Sequence, residues 1–353
     1  MEETISMKES KMEAVSDLAT TLNQSSVAFD RSHWGRIRLS GADRVRFLHN
    51  QTTNDIEQLS ANQGCYSVFV TSTGRTIDLA TVYAFPESLL VTVSPGMTQQ
   101  LYDWMDRYIF FSDKVTLVNK SEQTFMFTLL GDRADQVMQQ IGTGDLGDLI
   151  EQANQSGHQF SHWTGQLADS QAPVTVAAIS DLAIAGYTLL GNQADASAVW
   201  QALSDAGASR GSEDQWEALR IQQGRPMPGC ELTDDDNPLE AGLWHSISFE
   251  KGCYIGQETI ARLNTYQGVK KRLWGLKLAK PVEPGATIMQ ADTKIGRVTS
   301  VTDTTAGTMA LGYLRTKAGG EGLSVDVEGV SGEAIALPFV SHEYYRAATE
   351  KLD

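Results

Sequence analysis

The chain changes texture at Val269, and that change limits the fold more than any other feature. From there to Val340 it offers only short alternating runs, Leu273–Leu278, Ile295–Val301, Ala310–Leu314, Leu323–Val327 and Ala334–Pro338. Glycine turns such as Pro284-Gly285 separate them. Regular short strands with glycine turns predict a small β-barrel or sandwich. Before Val269, strands and helices follow one another without the regular βα alternation of a parallel sheet, which makes the class α+β. The expected division is a polar N-terminal extension over 1–31, an α+β region over 32–268 and a C-terminal barrel over 269–345.

Met12, Val15, Leu18 and Leu22 recur at helical spacing and predict a short amphipathic helix in the extension. Trp34, Ile37 and Leu39 predict a strand, and Asp43 a cap for a helix carrying Val45, Phe47 and Leu48. Gln51–Ile56 reads as polar loop. Ser67–Thr71 and Ile77–Tyr83 read as paired strands around Ser72–Arg75. A helix over Gln215–Gln223 is ended by the Gly224–Gly229 segment, and Leu243–Phe249 reads as extended.

The chain has 353 residues, with 28 basic against 44 acidic side chains and a net charge of −16. That balance argues against non-specific binding to nucleic acid or an anionic membrane. Cys65, Cys230 and Cys253 are widely spaced, which fits neither a disulfide framework nor a zinc site and points to a reducing compartment. The acidic start Met1-Glu2-Glu3 resembles neither a signal nor a transit peptide, and no apolar run reaches about 18 residues. A cytoplasmic location is expected.

The chemistry concentrates in Lys251-Gly252-Cys253-Tyr254-Ile255-Gly256-Gln257-Glu258. Cys253 precedes a predicted helix beginning near Gly256, whose positive end favours a thiolate. Lys251, two residues back in an extended segment, projects to the same side and adds to that effect. A buried structural cysteine in a strand-to-helix turn is the plainer alternative.

Three other patterns carry less. Gly142-Thr143-Gly144-Asp145-Leu146-Gly147 matches G-x-G-x-x-G, but it follows a helix and lacks the strand that a dinucleotide site requires. His158 and His162 are four apart without further ligands nearby, so no metal site is expected. Thr233–Asp236 lacks EF-hand spacing and reads as a solvated acidic turn.

The octapeptide resembles the K-G-C-[YF]-x-G-Q-E signature of the YgfZ-type folate-binding proteins, relatives of the glycine-cleavage T-protein, an aminomethyltransferase. Ser40–Asp43 with Phe47-Leu48 and Thr53–Asp55, Trp216–Arg220 with Gly224–Pro226, Pro238–Leu243, Lys271–Leu273 and Gly296–Ser300 resemble further family segments in the family's order. The resemblance implies two interwoven α+β lobes and a C-terminal β-barrel arranged as a three-lobed ring, with tetrahydrofolate as cofactor. It implies an accessory role toward iron–sulfur client enzymes, including those that thiomethylate tRNA.

On that resemblance, Trp34 and Trp216 match tryptophans associated with folate, and flat indoles suit a pterin by offset stacking. Cys253 becomes the working group, by thiol exchange, persulfide handling or transient metal contact. Arg262, Lys270, Lys271 and Arg272 form an expected basic patch for folate's glutamate tail. The chain departs from the T-protein where that enzyme has charged groups. An aspartate pair appears as Asp78-Leu79, an arginine as Trp216, and a pterin-contacting glutamate as Thr188. The T-protein has no equivalent of Cys253. Folate-dependent aminomethyl or other one-carbon transfer, with Asp78 as general acid or base, is the alternative function.

Overall fold

The computed structural model describes residue 18 and residues 21–142, 146–153, 159–167, 170, 172–304 and 307–346. Met12 and Val15 of the expected N-terminal helix, the middle of the 142–147 match and His158 lie outside the described residues. Leu18 and residues 21–24 are helical, and Leu18 and Leu22 are buried. Among the described residues no helix is long and apolar enough to cross a membrane.

The chain folds into two compact units. Among the described residues, the first comprises those up to Leu48, those of Ile56–Tyr66 and those of Ala80–Leu219; the second comprises those of His49–Asp55, Ser67–Leu79 and those from Arg220 on. The first holds most of an 11-stranded sheet. Its spatial order is β11 (Ala208–Arg210), β1 (Ser26–Asp30), β7 (Thr124–Leu130), β10 (Gly186–Asn192), β9 (Val174–Ala177), β8 (Gln159–Gly165), β3 (Gln63–Val70), β4 (Thr76–Ala84), β5 (Ser88–Val93), β2 (Gly35–Ser40) and β6 (Thr116–Asn119). The edge pair β1–β11 is parallel; β1–β7, β7–β10, β10–β9 and β9–β8 are antiparallel.

Burial explains the strand choices. All nine residues of β4 are buried, as expected of a central strand covered on both faces. The helices Ala134–Ile141 and Ala196–Asp205 place Val137, Met138, Val199 and Leu203 against Phe125, Phe127, Leu129 and Tyr187 of the sheet. The helix Glu213–Gln223 begins with a reciprocal capping pair: Gln215 N–H donates to Ser212 Oγ at 3.2 Å, and Ser212 N–H to Gln215 Oε1 at 2.9 Å.

In the second unit, β12 (Lys271–Leu278), β15 (Gly307–Arg315), β14 (Thr293–Thr304), β13 (Thr287–Gln290), β16 (Ser324–Val327) and β17 (Val330–Ile335) form a closed barrel in that order. Closure comes from pairing of β17 with β12. Leu276, Ile288, Val298, Leu314 and Val327 fill the interior. The mixed α+β class with a closed C-terminal barrel agrees with the sequence expectation. A buried clamp ties the barrel to the segment before it. Arg220 Nη1 donates to Glu231 Oε2 at 3.0 Å, and Ser300 Oγ donates to Glu231 Oε1 at 2.6 Å.

Four local expectations are corrected. Leu243–Phe249 is not extended. Trp244–Ser246 is a single 3₁₀ turn closed by Ser246 N–H to Leu243 O and Ile247 N–H to Trp244 O. Leu243, Trp244 and Ile247 are all buried, so apolarity alone did not separate strand from turn. Residues 51–56 are not open loop: Thr52 and Thr53 are fully buried, and Thr53 Oγ1 donates to Ser246 O at 2.6 Å. Asp236 of the acidic turn is 1% exposed and holds Lys271 Nζ at 2.5 Å. Asp43 does not cap with its side chain, whose carboxylate accepts Lys114 N–H at 2.9 Å.

Candidate functional site

The octapeptide belongs to the second unit and is fastened to residues 49–55 of the same unit. Lys251 is 7% exposed. Its Nζ donates to the carbonyls of His49 at 2.5 Å, Thr52 at 2.8 Å and Asn54 at 2.8 Å. An ammonium has three N–H donors, and these three carbonyls match them in number. His49 lies in the last turn of the helix Arg44–Gln51, where carbonyls lack intrahelical partners and a cation is favoured. The Tyr254 ring centre lies 4.9 Å from the same Nζ. Burial raises the Tyr254 phenol pKa and keeps it neutral.

Two more contacts fix the turn. Ile255 N–H donates to Asn50 O at 3.1 Å. Gly256 stands at φ +81° before the helix Gln257–Thr265, a conformation that favours glycine. A Cβ at Gly256 would lie 2.5 Å from the Thr71 carbonyl oxygen, so the turn packs backbone to backbone on the Thr71–Arg75 hairpin. Cys253 is exposed between these anchors. The arrangement presents an accessible thiol on a held loop, with the lysine charge directed into carbonyls behind it.

Asp78, also in the second unit, sits in β4 and is fully buried. Arg262 is exposed in the last turn of the helix Gln257–Thr265. The expected basic patch is divided: Lys270 is exposed, Lys271 is held by Asp236, and Arg272 lies over the Tyr344 ring at 5.2 Å.

The other expected folate residues lie in the first unit. Trp34 is 2% exposed, Trp216 3% and Thr188 0%. Both indoles stack on Arg31, whose guanidinium carbon is 3.7 Å from the Trp34 ring centre and 4.0 Å from that of Trp216. Arg31 is itself fully buried. Its Nη1 donates to Asp181 Oδ2 at 3.0 Å and to Thr128 Oγ1 at 3.3 Å. Thr81 Oγ1 donates to Asp181 Oδ1 at 2.7 Å. Asp181 takes φ +62°, which a short polar side chain tolerates better than most. Tyr83 shares this interior; burial first, then the Asp181 charge, raises its pKa. Thr188 Oγ1 donates to Ile179 O at 2.8 Å.

Arg31 and Asp181 were missed by sequence reasoning. The available signal was weak: an arginine three residues before Trp34, and a lone aspartate in the apolar run Ala177–Ala185.

A family model described as the GCVT N-terminal domain matches residues 4–251, and one described as the CAF17 C-terminal beta-barrel domain matches residues 270–337. A chloroplastic protein of Arabidopsis thaliana, whose name proposes a transferase, is 44% identical over 321 residues, covering 90% of this chain and 72% of its own. An aminomethyltransferase of Symbiobacterium thermophilum is 26% identical over 339 residues, covering 90% of this chain and 86% of its own. The crystal structure of glycine cleavage system aminomethyltransferase T from Bartonella henselae matches with a TM-score of 0.75 at 19% identity, over 94% of this chain and 91% of that one. At that identity the likeness concerns the fold. By domain content and order, this chain belongs to the GCVT-domain proteins that end in a CAF17 β-barrel, the YgfZ/CAF17 type within the aminomethyltransferase fold.

Proposed function

We propose that this protein is a tetrahydrofolate-binding accessory factor for iron–sulfur enzymes, those that thiomethylate tRNA among them, and that Cys253 is its working group. The observation that carries this reading is the fastening of the Cys253 turn. A buried lysine commits its ammonium to three carbonyls, and the outcome is an exposed thiol at a defined place. A cysteine kept only for packing has no need of exposure.

Tetrahydrofolate as the ligand is supported by the GCVT domain match. Trp34, Thr188 and Trp216 enter this reading as residues that support folate binding from the interior, the indoles by stacking on Arg31. Exposed Arg262 fits the glutamate tail. Bound tetrahydrofolate would supply a one-carbon carrier. The expected compartment is the cytoplasm, to which the chloroplastic relative adds a plastid as the organelle equivalent.

Folate-dependent one-carbon transfer with Asp78 as general acid or base is the second reading, favoured by relatives named aminomethyltransferase. The two are separated by calorimetric titration of the full chain with tetrahydrofolate and by complementation of a host lacking the protein. Wild type and Cys253→Ser are expected to bind tetrahydrofolate alike, while Cys253→Ser fails to restore iron–sulfur enzyme activity. Absence of binding by wild type overturns the folate part, and full complementation by Cys253→Ser overturns the thiol part. Folate-dependent ammonia release from an aminomethylated carrier, lost in Asp78→Asn, establishes the second reading instead.

A further inference from the structure

Trp34 and Trp216 suit a pterin by their flat faces, and in the structure both turn those faces to Arg31. The guanidinium carbon lies 3.7 Å from one ring centre and 4.0 Å from the other, contact separations that leave no layer between. The rest of each indole is covered as well: both are buried, and Phe29 packs against Trp216 at 5.4 Å with the rings 66° apart. Thr188 belongs to the same cluster. It stands opposite Thr128 in the β7–β10 pair, and Thr128 Oγ1 accepts from Arg31 Nη1 at 3.3 Å. Its own hydroxyl donates to Ile179 O, two residues before Asp181. Asp181 supplies the counter-charge at 3.0 Å from a left-handed backbone, φ +62°, and Thr81 Oγ1 donates to its other oxygen. Backbone strain persists only where the surroundings over-determine it. Stability alone does not call for such a pair, since apolar residues of similar volume often do as well in its place.

We propose that Trp34, Trp216 and Asp181 form a slot for a planar, guanidine-like group, that the chain fills this slot with its own Arg31, and that the slot is thereby closed to the pterin of the proposed ligand. A guanidinium is a flat carbon bearing three nitrogens. The pterin carbon that carries the amino group, with the two ring nitrogens beside it, is the same unit. Indole faces and a carboxylate at the edge recognise both by the same means. One layer fits against the two rings, and Arg31 is that layer. These residues therefore do not fit a pterin while Arg31 is in place. Tetrahydrofolate, on the proposed reading, is held by other residues, with this cluster as interior support. The inference rests on the folate reading only in naming the excluded ligand; the occupancy itself is tested without folate.

Arg31→Ala in the full chain empties the slot, and the probe is guanidinium chloride at up to about 20 mM, far below denaturing concentrations. The melting temperature of Arg31→Ala should rise by about 2 °C or more over the same concentration of sodium chloride, and that of wild type should not. If Arg31→Ala does not fold alone, its folded yield with and without guanidinium, read by near-ultraviolet circular dichroism, replaces the melting temperature. The gain should vanish when Asp181→Asn is added. No gain in Arg31→Ala, or a gain that survives Asp181→Asn, overturns the slot. Closure is read in wild type carrying isotope-labelled arginine. The Arg31 side-chain N–H resonance, displaced by the two rings, should keep its position at saturating tetrahydrofolate; its move to the ordinary arginine range overturns closure. Absence of tetrahydrofolate binding by wild type removes the folate reading alone and leaves the guanidinium comparison to decide.

Discussion

The guanidinium carbon of Arg31 lies 3.7 Å from the ring centre of Trp34, inside the first unit. Trp216 takes up Arg31 at 4.0 Å, and Asp181 supplies the counter-charge at 3.0 Å. A charge this deep is tolerable only while its partners remain, because an uncompensated buried ion costs several kcal/mol. Arg31→Ala is therefore expected to destabilise the protein by about 3–5 kcal/mol, read from urea unfolding. Arg31→Lys should recover only part of that loss, since an ammonium lacks the planar face that stacks on indole. A double-mutant cycle between Arg31 and Trp34 should return a coupling of about 0.5–2 kcal/mol. Additive losses would mean that the stacked geometry carries no energy.

Lys251 makes a different prediction. Its Nζ satisfies the carbonyls of His49, Thr52 and Asn54, so Lys251→Met removes the donors. The expected cost is about 3 kcal/mol, since buried acceptors then lose charge-assisted partners. The local consequence is loosening of the Cys253 turn. Limited proteolysis should cut the variant within 249–256 under conditions that leave wild type intact. Lys251→Arg should not rescue it, because a planar fork cannot converge on three carbonyls as an ammonium does. Wild-type stability in Lys251→Met would dismiss the clamp.

The parts of this architecture that were legible in the sequence are those set by local pattern. The barrel announced itself because alternation and glycine turns are short-range signals, and the cysteine octapeptide is contiguous. The rest depends on partners far along the chain. Arg31 sits among Asp30, Ser32 and His33, and the counter-charge for its burial, Asp181, comes 150 positions later. Lys251 read as a neighbour of the thiol because extended spacing places i and i+2 on one side. Its ammonium reaches instead to residue 49, 202 positions away. Thr52 and Thr53 read as loop for the same reason: Thr53 Oγ1 donates to Ser246 O, and Thr52 O accepts from Lys251 Nζ. Trp34 and Trp216 were singled out by type and position, but nothing local shows what covers an indole face.

Gly256 offers a test of how tightly the turn is built. Its φ of +81° and the 2.5 Å that would separate a Cβ from Thr71 O leave no room for a side chain. Gly256→Ala should cost about 2 kcal/mol or more, from left-handed strain and from displacement of the hairpin backbone. The displacement should appear as faster amide exchange at the start of the helix Gln257–Thr265. Exchange equal to wild type would show that the turn tolerates a shift.

His162 sets an acid limit on stability. Its Nε2 lies 3.1 Å from the Ala84 carbonyl, and its ring packs 4.8 Å from Phe85 and 6.0 Å from Tyr83. Burial lowers its pKa from 6.5 to about 4, with the backbone contacts opposing the shift only in part. The unfolded chain therefore takes up a proton between about pH 6.5 and 4 that the folded chain refuses. Stability from this residue is complete above pH 6.5 and falls as the pH drops toward 4, by about 1.4 kcal/mol per unit at its steepest and about 3 kcal/mol in all. His342, lowered to about 4 by burial and Arg272, acts in the same direction in the second unit. Urea midpoints measured from pH 7.5 to 4 should fall less steeply in His162→Gln than in wild type, because the amide keeps a donor for Ala84 without titrating. Parallel pH profiles in the two proteins would show that His162 charges as readily in the folded chain as in the unfolded one.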